Sequence, residues 1–356
     1  MIVTVLGARP QFVKAAVVSR ALIEHKITER IIHTGQHYDD KMSSIFWREL
    51  GIPPYEINLN VGSGFHGEQT AQMLIKIEGY LLDHRLDVKA VMVYGDTNST
   101  LAGALAASKL EIPVIHIESG LRSFNRSMPE EVNRVLTDHI SDLLFCPSNK
   151  SVQQLKAEGI QRNVFDVGDV MYDAMLTFSK ISDPNILDNY DISLTEGEFN
   201  LLTIHRPSNT DNYAHIKQIV NALGKIGSRF IWPLHPRTRK VIAGFKLDIP
   251  GNIIMVEPFS YLEILKVLSS CSKVITDSGG MQKEAYWMKK PCITLREETE
   301  WTETLANHWN FLAGSDESRI TQAIKMNIDP STWEPLYGDG KASLTIARII
   351  KEFLSN

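Results

Sequence analysis

Residues 91–100 read VMVYGDTNST and residues 112–134 read IPVIHIESGLRSFNRSMPEEVNR. Two apolar, β-branched runs, Val91 to Tyr94 and Ile112 to Ile117, each lead into an acidic residue, Asp96 and Glu118, with a short helical pattern between them. Glu130 and Glu131 then open a further helix after Pro129. Strand, loop and helix repeated in this order build a parallel sheet, whose ligands bind at the carboxyl ends of the strands. The stretch therefore predicts an α/β fold with carboxylates gathered in a crevice.

The same alternation extends both ways along the chain. Ile2 to Leu6 is a buried-strand run, broken by Gly7-Ala8-Arg9-Pro10 and followed by helical spacing from Phe12 to Ile23. Arg30 to His33, Leu143 to Phe145 and Val164 to Val167 supply further strands, with helices over Asp40 to Leu50, Glu68 to Leu82 and Pro129 to Ile140. Val61 to Gly67 (VGSGFHG) reads either as a loop over a site or as a plain surface connection. A polar segment, Ser182 to Glu198, precedes a second series whose strands begin at Asn200, Phe230, Ile253, Val274 and Cys292. The pattern predicts two Rossmann-like domains with a cleft between them. The first is residues 1–168, rejoined by a C-terminal amphipathic helix within 341–356; the second is residues 169–340.

Composition narrows the function. A chain of 356 residues, 43% hydrophobic and 22% charged, has length for two domains, and a net charge of −5 gives no general attraction to nucleic acid or an anionic membrane. Cys146, Cys271 and Cys292 each lie at or beside a predicted strand and read as unpaired core thiols, which points to the cytoplasm. The N-terminal MIVTVLGARP lacks signal-peptide features, and no apolar run approaches the roughly 20 residues that cross a bilayer. The eleven histidines show no metal-ligand spacing, and no G-x-G-x-x-G is present, so neither a metal nor a nicotinamide cofactor is expected.

Two anion sites are expected. Arg9 and Lys14 flank the first strand-to-helix turn, where backbone N–H groups and the helix dipole favour an anion. Thr276-Asp277-Ser278-Gly279-Gly280 is a second such turn: its glycines would let the backbone approach a diphosphate, with Glu284 one turn on, within reach of a ribose diol. His205-Arg206 and His235-Pro236-Arg237 add cationic strand ends. Each of Asp96, Glu118 and Glu130 has a structural reading as a turn, loop or helix-dipole residue. Together in one crevice they suit general acid and base work, with Arg122 and Arg134 as counter-charges.

At these residues the chain resembles the non-hydrolysing UDP-N-acetylglucosamine 2-epimerases, which have the GT-B architecture. The resemblance rests on GARPQFVKAAVV from Gly7, TGQH from Thr34, YGDTNSTLAGALAA from Tyr94, IPVIHIESGLRS from Ile112 and MPEEVNRVLTD from Met128. VGDVMYDA from Val167, ITDSGGMQKEA from Ile275, PCITLREETEW from Pro291 and YGDGKAS from Tyr337 complete it in order along nearly the whole chain. It implies a homodimer that interconverts UDP-GlcNAc and UDP-ManNAc through elimination of UDP to 2-acetamidoglucal and its re-addition, without a cofactor. It also implies Arg9, Lys14, Asp96, Glu118, Glu130, Arg134 and His205 as catalytic-site positions. Ser278, Gly279 and Gly280 fall on the diphosphate turn, and Glu284 on the residue that binds the uridine ribose; Arg9 and His205 would hold UDP with them, and His235, from its strand-end position, is a further UDP-binding candidate. Members activated by a second UDP-GlcNAc carry HRREN-like residues where this chain has HRPSN from His205. GARPQF and the short SFNRSMPEE loop look closer to a branch acting on modified UDP-sugars, including UDP-2,3-diacetamido-2,3-dideoxyglucuronate. Arg122 and Arg126 are the candidate partners for a C6 carboxylate. A hydrolysing 2-epimerase, a GT-B glycosyltransferase and a non-catalytic nucleotide-sugar sensor are the competing readings.

Overall fold

The computed structural model describes residues 1–36, 47–181 and 197–355. The helix expected over Asp40 to Leu50 and the polar segment from Ser182 fall largely outside them. Two compact units emerge: Met1–Thr177 with Tyr337–Asn356, and Phe178–Leu336. The turn signals place the connection near Gly168, whereas the first unit's leading segment runs nine residues further, to Thr177.

The first unit holds a seven-stranded sheet in the order β3-β2-β1-β4-β5-β6-β7. Its strands are β1 Ile2–Leu6, β2 Glu29–His33, β3 Ile57–Asn58, β4 Ala90–Tyr94, β5 Val114–Ile117, β6 Leu143–Cys146 and β7 Val164–Asp166. All pairings are parallel. Residues of β1, β4 and β5 are buried throughout, as expected of strands covered by helices on both faces. The order reverses between β1 and β4, which is where ligand crevices form in doubly wound sheets. The chain leaves β1 toward Arg9 and Lys14, and β4 toward Asp96.

β3 and the helix Asn149–Ala157 lie outside the sequence pattern. β3 has two residues, and the helix Asn149–Ala157 buries only Ser151 and Leu155, so neither shows a sustained apolar period. The first helix spans Arg9–Glu24 and begins before Phe12, because Pro10 sits in its first turn, where a missing N–H costs nothing.

The second unit repeats the plan with six strands in the order β10-β9-β8-β11-β12-β13. These are β8 Phe199–Thr203, β9 Arg229–Pro233, β10 Ile253–Val256, β11 Val274–Thr276, β12 Cys292–Thr294 and β13 Asn310–Leu312. A second strand outside the sequence pattern, β13, has only three residues and pairs in parallel with β12. The reversal lies between β8, which leads to His205, and β11, which leads to Asp277 and Ser278. Trp232, Phe230, Leu223 and Ile320 are among the buried residues between this sheet and its helices.

The helix Ala342–Ser355 packs on the Arg9–Glu24 helix of the first unit. Its N-terminus is held by Asp173, whose carboxylate accepts from the Ala342 amide at 3.1 Å and from the Ser343 amide and hydroxyl at 2.7 Å each. A helix start leaves its first amides without intrahelical acceptors, and here a distant aspartate supplies them. Just before it, Gly168 and Gly338 pass so closely that a Cβ on Gly338 would lie 2.9 Å from the Gly168 Cα. Both have positive φ, so neither backbone suits an ordinary residue. The three cysteines are free and buried, and burial pushes each thiol up to about 12, which keeps them neutral.

Candidate active site

In the first unit, Glu118 follows β5 with φ +71°, a left-handed conformation that side chains rarely adopt. Its carboxylate forms an ion pair with Lys14, which projects from the Arg9–Glu24 helix, and both side chains are nearly buried. Gly95 fits beneath this pair. Its φ is +62°, and an added Cβ would stand 3.2 Å from Glu118 Oε2 and 3.5 Å from Lys14 Nζ. Glycine at 95 is thus required by backbone conformation and by the space the ion pair occupies.

Asp96, the next residue, pairs with Arg134 and keeps 31% of its side chain exposed. Burial pushes its carboxyl upward, Arg134 pulls it back, and the nearby Glu118 adds a further upward push. Two carboxylates, each beside one cation, therefore stand at the ends of adjacent strands. Asn133 fixes the backbone here, donating to the Asp96 carbonyl at 2.9 Å and to Asn98 Oδ1 at 3.1 Å.

Of the two glutamates in MPEE, Glu130 is exposed and Glu131 is buried. Glu131 accepts from the Ser123 amide at 2.8 Å, the Ser123 hydroxyl at 2.9 Å and the Phe124 amide at 2.9 Å. Arg134 reaches it at 3.3 Å with the guanidinium that also holds Asp96. Glu131 thereby joins the 123–128 loop to the Asp96 ion pair, a role not assigned to it from sequence. One helical step of about 100° separates the two side chains, and the buried one is the second.

Arg122, expected as a counter-charge to the crevice carboxylates, pairs instead with other acidic residues. Its side chain is 2% exposed and is bound by Asp138 at 2.6 Å and by Glu158 at 2.6 and 2.8 Å. This leaves Arg126, which is exposed, as the accessible cation in the loop. The first anion turn also differs in detail. The Gly7 and Ala8 amides both donate to Gln11 Oε1, at 2.7 and 2.9 Å, while Gln11 Nε2 donates to the Tyr94 carbonyl at 2.8 Å. Those loop amides are committed to holding β1 against β4, so an anion there would be met by the half-buried Arg9 side chain.

In the second unit the organising residue is Asp277, wholly buried after β11. It accepts from the His205 amide at 3.1 Å, the Arg206 amide at 3.0 Å and Asn209 Nδ2 at 3.0 Å. His205 Nδ1 lies 3.2 Å from it, with the His205 side chain 49% exposed. Asp277 thus sets the β8 loop against the β11 turn. Ser278 caps the helix Gly279–Trp287: its Oγ accepts from the Met281 amide at 3.4 Å, and its own amide donates to Thr276 Oγ1 at 2.9 Å. The amides of Gly279 and Gly280 open this helix, where no intrahelical acceptor exists. An added Cβ on Gly280 would meet nothing within 4 Å, whereas one on Gly279 would run into the Glu300 carboxylate. Glu284 is buried one turn further along. His235 is exposed and accepts from the Arg237 amide at 3.3 Å; Arg237 in turn grips Asp211 with two bonds of 2.7 and 2.8 Å.

The family model for UDP-N-acetylglucosamine 2-epimerase matches residues 20–351 of this chain. The chain belongs to that family. A UDP-N-acetylglucosamine 2-epimerase homolog of Methanococcus maripaludis is 48% identical over 358 residues, covering 98% of this chain and 99% of its own. The UDP-2,3-diacetamido-2,3-dideoxy-D-glucuronate 2-epimerase of Pseudomonas aeruginosa is 45% identical, with coverage of 98% and 99%. The crystal structure of the Methanocaldococcus jannaschii UDP-GlcNAc 2-epimerase with UDP-GlcNAc and UDP superposes with a TM-score of 0.89 at 42% identity and 99% coverage of both chains. The fold is accordingly the α/β, two-Rossmann-unit GT-B type expected from the sequence.

Proposed function

We propose that this epimerase-family chain interconverts UDP-GlcNAc and UDP-ManNAc by elimination and re-addition of UDP. The observation that carries the reading is the pair of strand-end carboxylates, Asp96 and Glu118, each held beside its own cation, in a chain of this family. Neither the glycosyltransferase nor the sensor reading gives such a pair a task.

The C2 proton is weakly acidic because no carbonyl adjoins C2. Breaking the C1–O bond to UDP builds positive charge at C1, and carboxylates stabilise that charge. A carboxylate then takes the C2 proton, leaving 2-acetamidoglucal with a C1=C2 double bond. In the reverse direction a diphosphate oxygen attacks C1 while a proton reaches C2 from the other face, which inverts C2. Asp96, Glu118 and Glu130 form the carboxylate set for these proton transfers, and Lys14 and Arg134 hold the first two in place. Arg9, His205, His235 and the Ser278-Gly279-Gly280 turn serve the UDP phosphates, and Glu284 serves the ribose. The chemistry calls for no redox cofactor and no metal.

A second reading, epimerisation of a UDP-sugar modified at C3 and C6, is favoured by the 45% identical Pseudomonas relative and by the exposed Arg126 in the 123–128 loop. Pro207 and Ser208, both exposed in the short helix Pro207–Thr210, replace the charged pair of activated members, so we take the enzyme to work without UDP-GlcNAc activation. We also take it to be a cytoplasmic homodimer. Phe65, Ile75 and Leu136 are large apolar side chains left exposed, and an open, largely apolar cavity of ≈510 Å³ is lined by Leu74, Pro129 and Val132 among others.

The test is to incubate the enzyme in D2O with UDP-GlcNAc or with the C3- and C6-modified analogue, and to follow C2 by proton NMR. Deuterium at C2 with a mixture of epimers is expected for the preferred substrate. Absence of exchange in both would overturn the epimerase reading, and free UDP rising in step with product would replace it by hydrolysis. Sedimentation of the same sample should give twice the chain mass of 40.1 kDa; a single-chain mass would overturn the dimer.

A further inference from the structure

His116 lies in β5, two residues before Glu118, and is fully buried. Its Nδ1 stands 2.7 Å from Asp138 Oδ1, and its Nε2 stands 2.8 Å from the Gly95 carbonyl oxygen. A backbone carbonyl can only accept. Asp138 is held as a carboxylate by its other oxygen, which accepts from the Arg122 guanidinium at 2.6 Å and from the Gly120 amide at 3.1 Å. A ring carrying one proton would point a lone pair at one of these oxygens at hydrogen-bond distance, so both nitrogens must donate.

The bonds also show what such a cation does. Through Nε2 it holds the Gly95 carbonyl, next to Asp96. Through Nδ1 it fixes Asp138, whose other oxygen accepts from the Gly120 amide at 3.1 Å, just beyond Glu118. We infer that His116 is a doubly donating imidazolium that positions the two carboxylate-bearing turns, Gly95-Asp96 and Glu118-Gly120, against each other. It is a positioning residue for the proposed epimerisation, and its protonation state can be read independently of that reading.

The experiment is 15N NMR of histidine-labelled wild-type protein at pH 7.5, with the His116 signals assigned by their loss in His116→Gln. Two protonated ring nitrogens with slowly exchanging protons are expected, and one bare nitrogen would overturn the inference. Kinetics supply the second arm. His116→Gln cannot bridge both acceptors as a cation, and kcat is expected to fall by about 10²-fold with KM little changed, as for a misplacement of catalytic groups by about 1 Å. Unchanged kcat in a folded variant would overturn the positioning role. If the variant does not fold, assignment by selective labelling in the wild type keeps the NMR arm decisive. A wild type inactive on every UDP-sugar would sink the proposed function and leave the NMR result standing.

Discussion

Glu118→Gln is expected to lower kcat for UDP-sugar epimerisation by about 10²–10⁴-fold, the range over which a positioned acid or base contributes. Glutamine matches glutamate in size and can still bond to Lys14, so the loss would come from the missing charge and basicity. Asp96→Asn should fall in the same range. It should also change the acidic side of the pH profile. Because burial and Glu118 raise the Asp96 carboxyl above its ordinary value of about 3.9, an ionised Asp96 is lost as pH falls through that raised value. The acidic limb should therefore begin at a higher pH than an isolated aspartate would give, and Asp96→Asn should remove it. Steady-state kinetics and C2 deuterium exchange read both variants. Full activity in either would remove that residue from the proton-transfer set.

The second large effect is on stability. Asp277→Ala leaves the His205 and Arg206 amides and Asn209 Nδ2 without their buried acceptor, at a cost of about 3 kcal/mol or more when each lost bond contributes about 1–3. Five of the six tryptophans, Trp232, Trp287, Trp301, Trp309 and Trp333, belong to the Phe178–Leu336 unit, so intrinsic fluorescence in urea reports mainly on that unit. A lower midpoint is expected for Asp277→Ala. His205→Ala removes a half-exposed ring and should leave the midpoint near that of the wild type while weakening UDP binding. Equal midpoints for Asp277→Ala and the wild type would show that water replaces the lost acceptor.

What the sequence discloses follows the range of the interactions involved. β-branched runs and Gly- or Pro-marked turns are local, and they show the two wound sheets down to strands of three residues flanked by strong signals, such as Val274–Thr276. Strands lacking such flanks, such as Ile57–Asn58 and Asn310–Leu312, are invisible because their partners supply the order. The same limit governs the site. Asp96, Glu118 and Ser278 stand at strand ends and are visible as such. Glu130 and Glu131 are neighbours on one helix, and only packing decides which carboxylate turns inward. Arg122 meets Glu158 across 36 residues, and Asp277 meets Asn209 across 68. His116 shows no signal at all, because inside a strand run it looks like one more core position.

The last helix bears on how the chain is made. At roughly 5–20 residues per second, a ribosome needs about ten to thirty seconds to synthesise 178–336 after the first unit's leading segment has emerged. Throughout that interval the Arg9–Glu24 helix lacks the cover that Ile346, Ala347 and Ile350 later supply, and Asp173 has no helix start to hold. The unit encoded second is contiguous and can close while still tethered, whereas the unit encoded first must wait. Completion of the first unit thus waits for the last residues made, and the nascent chain passes through a stage in which the second unit is fully synthesised while the first still lacks its closing helix.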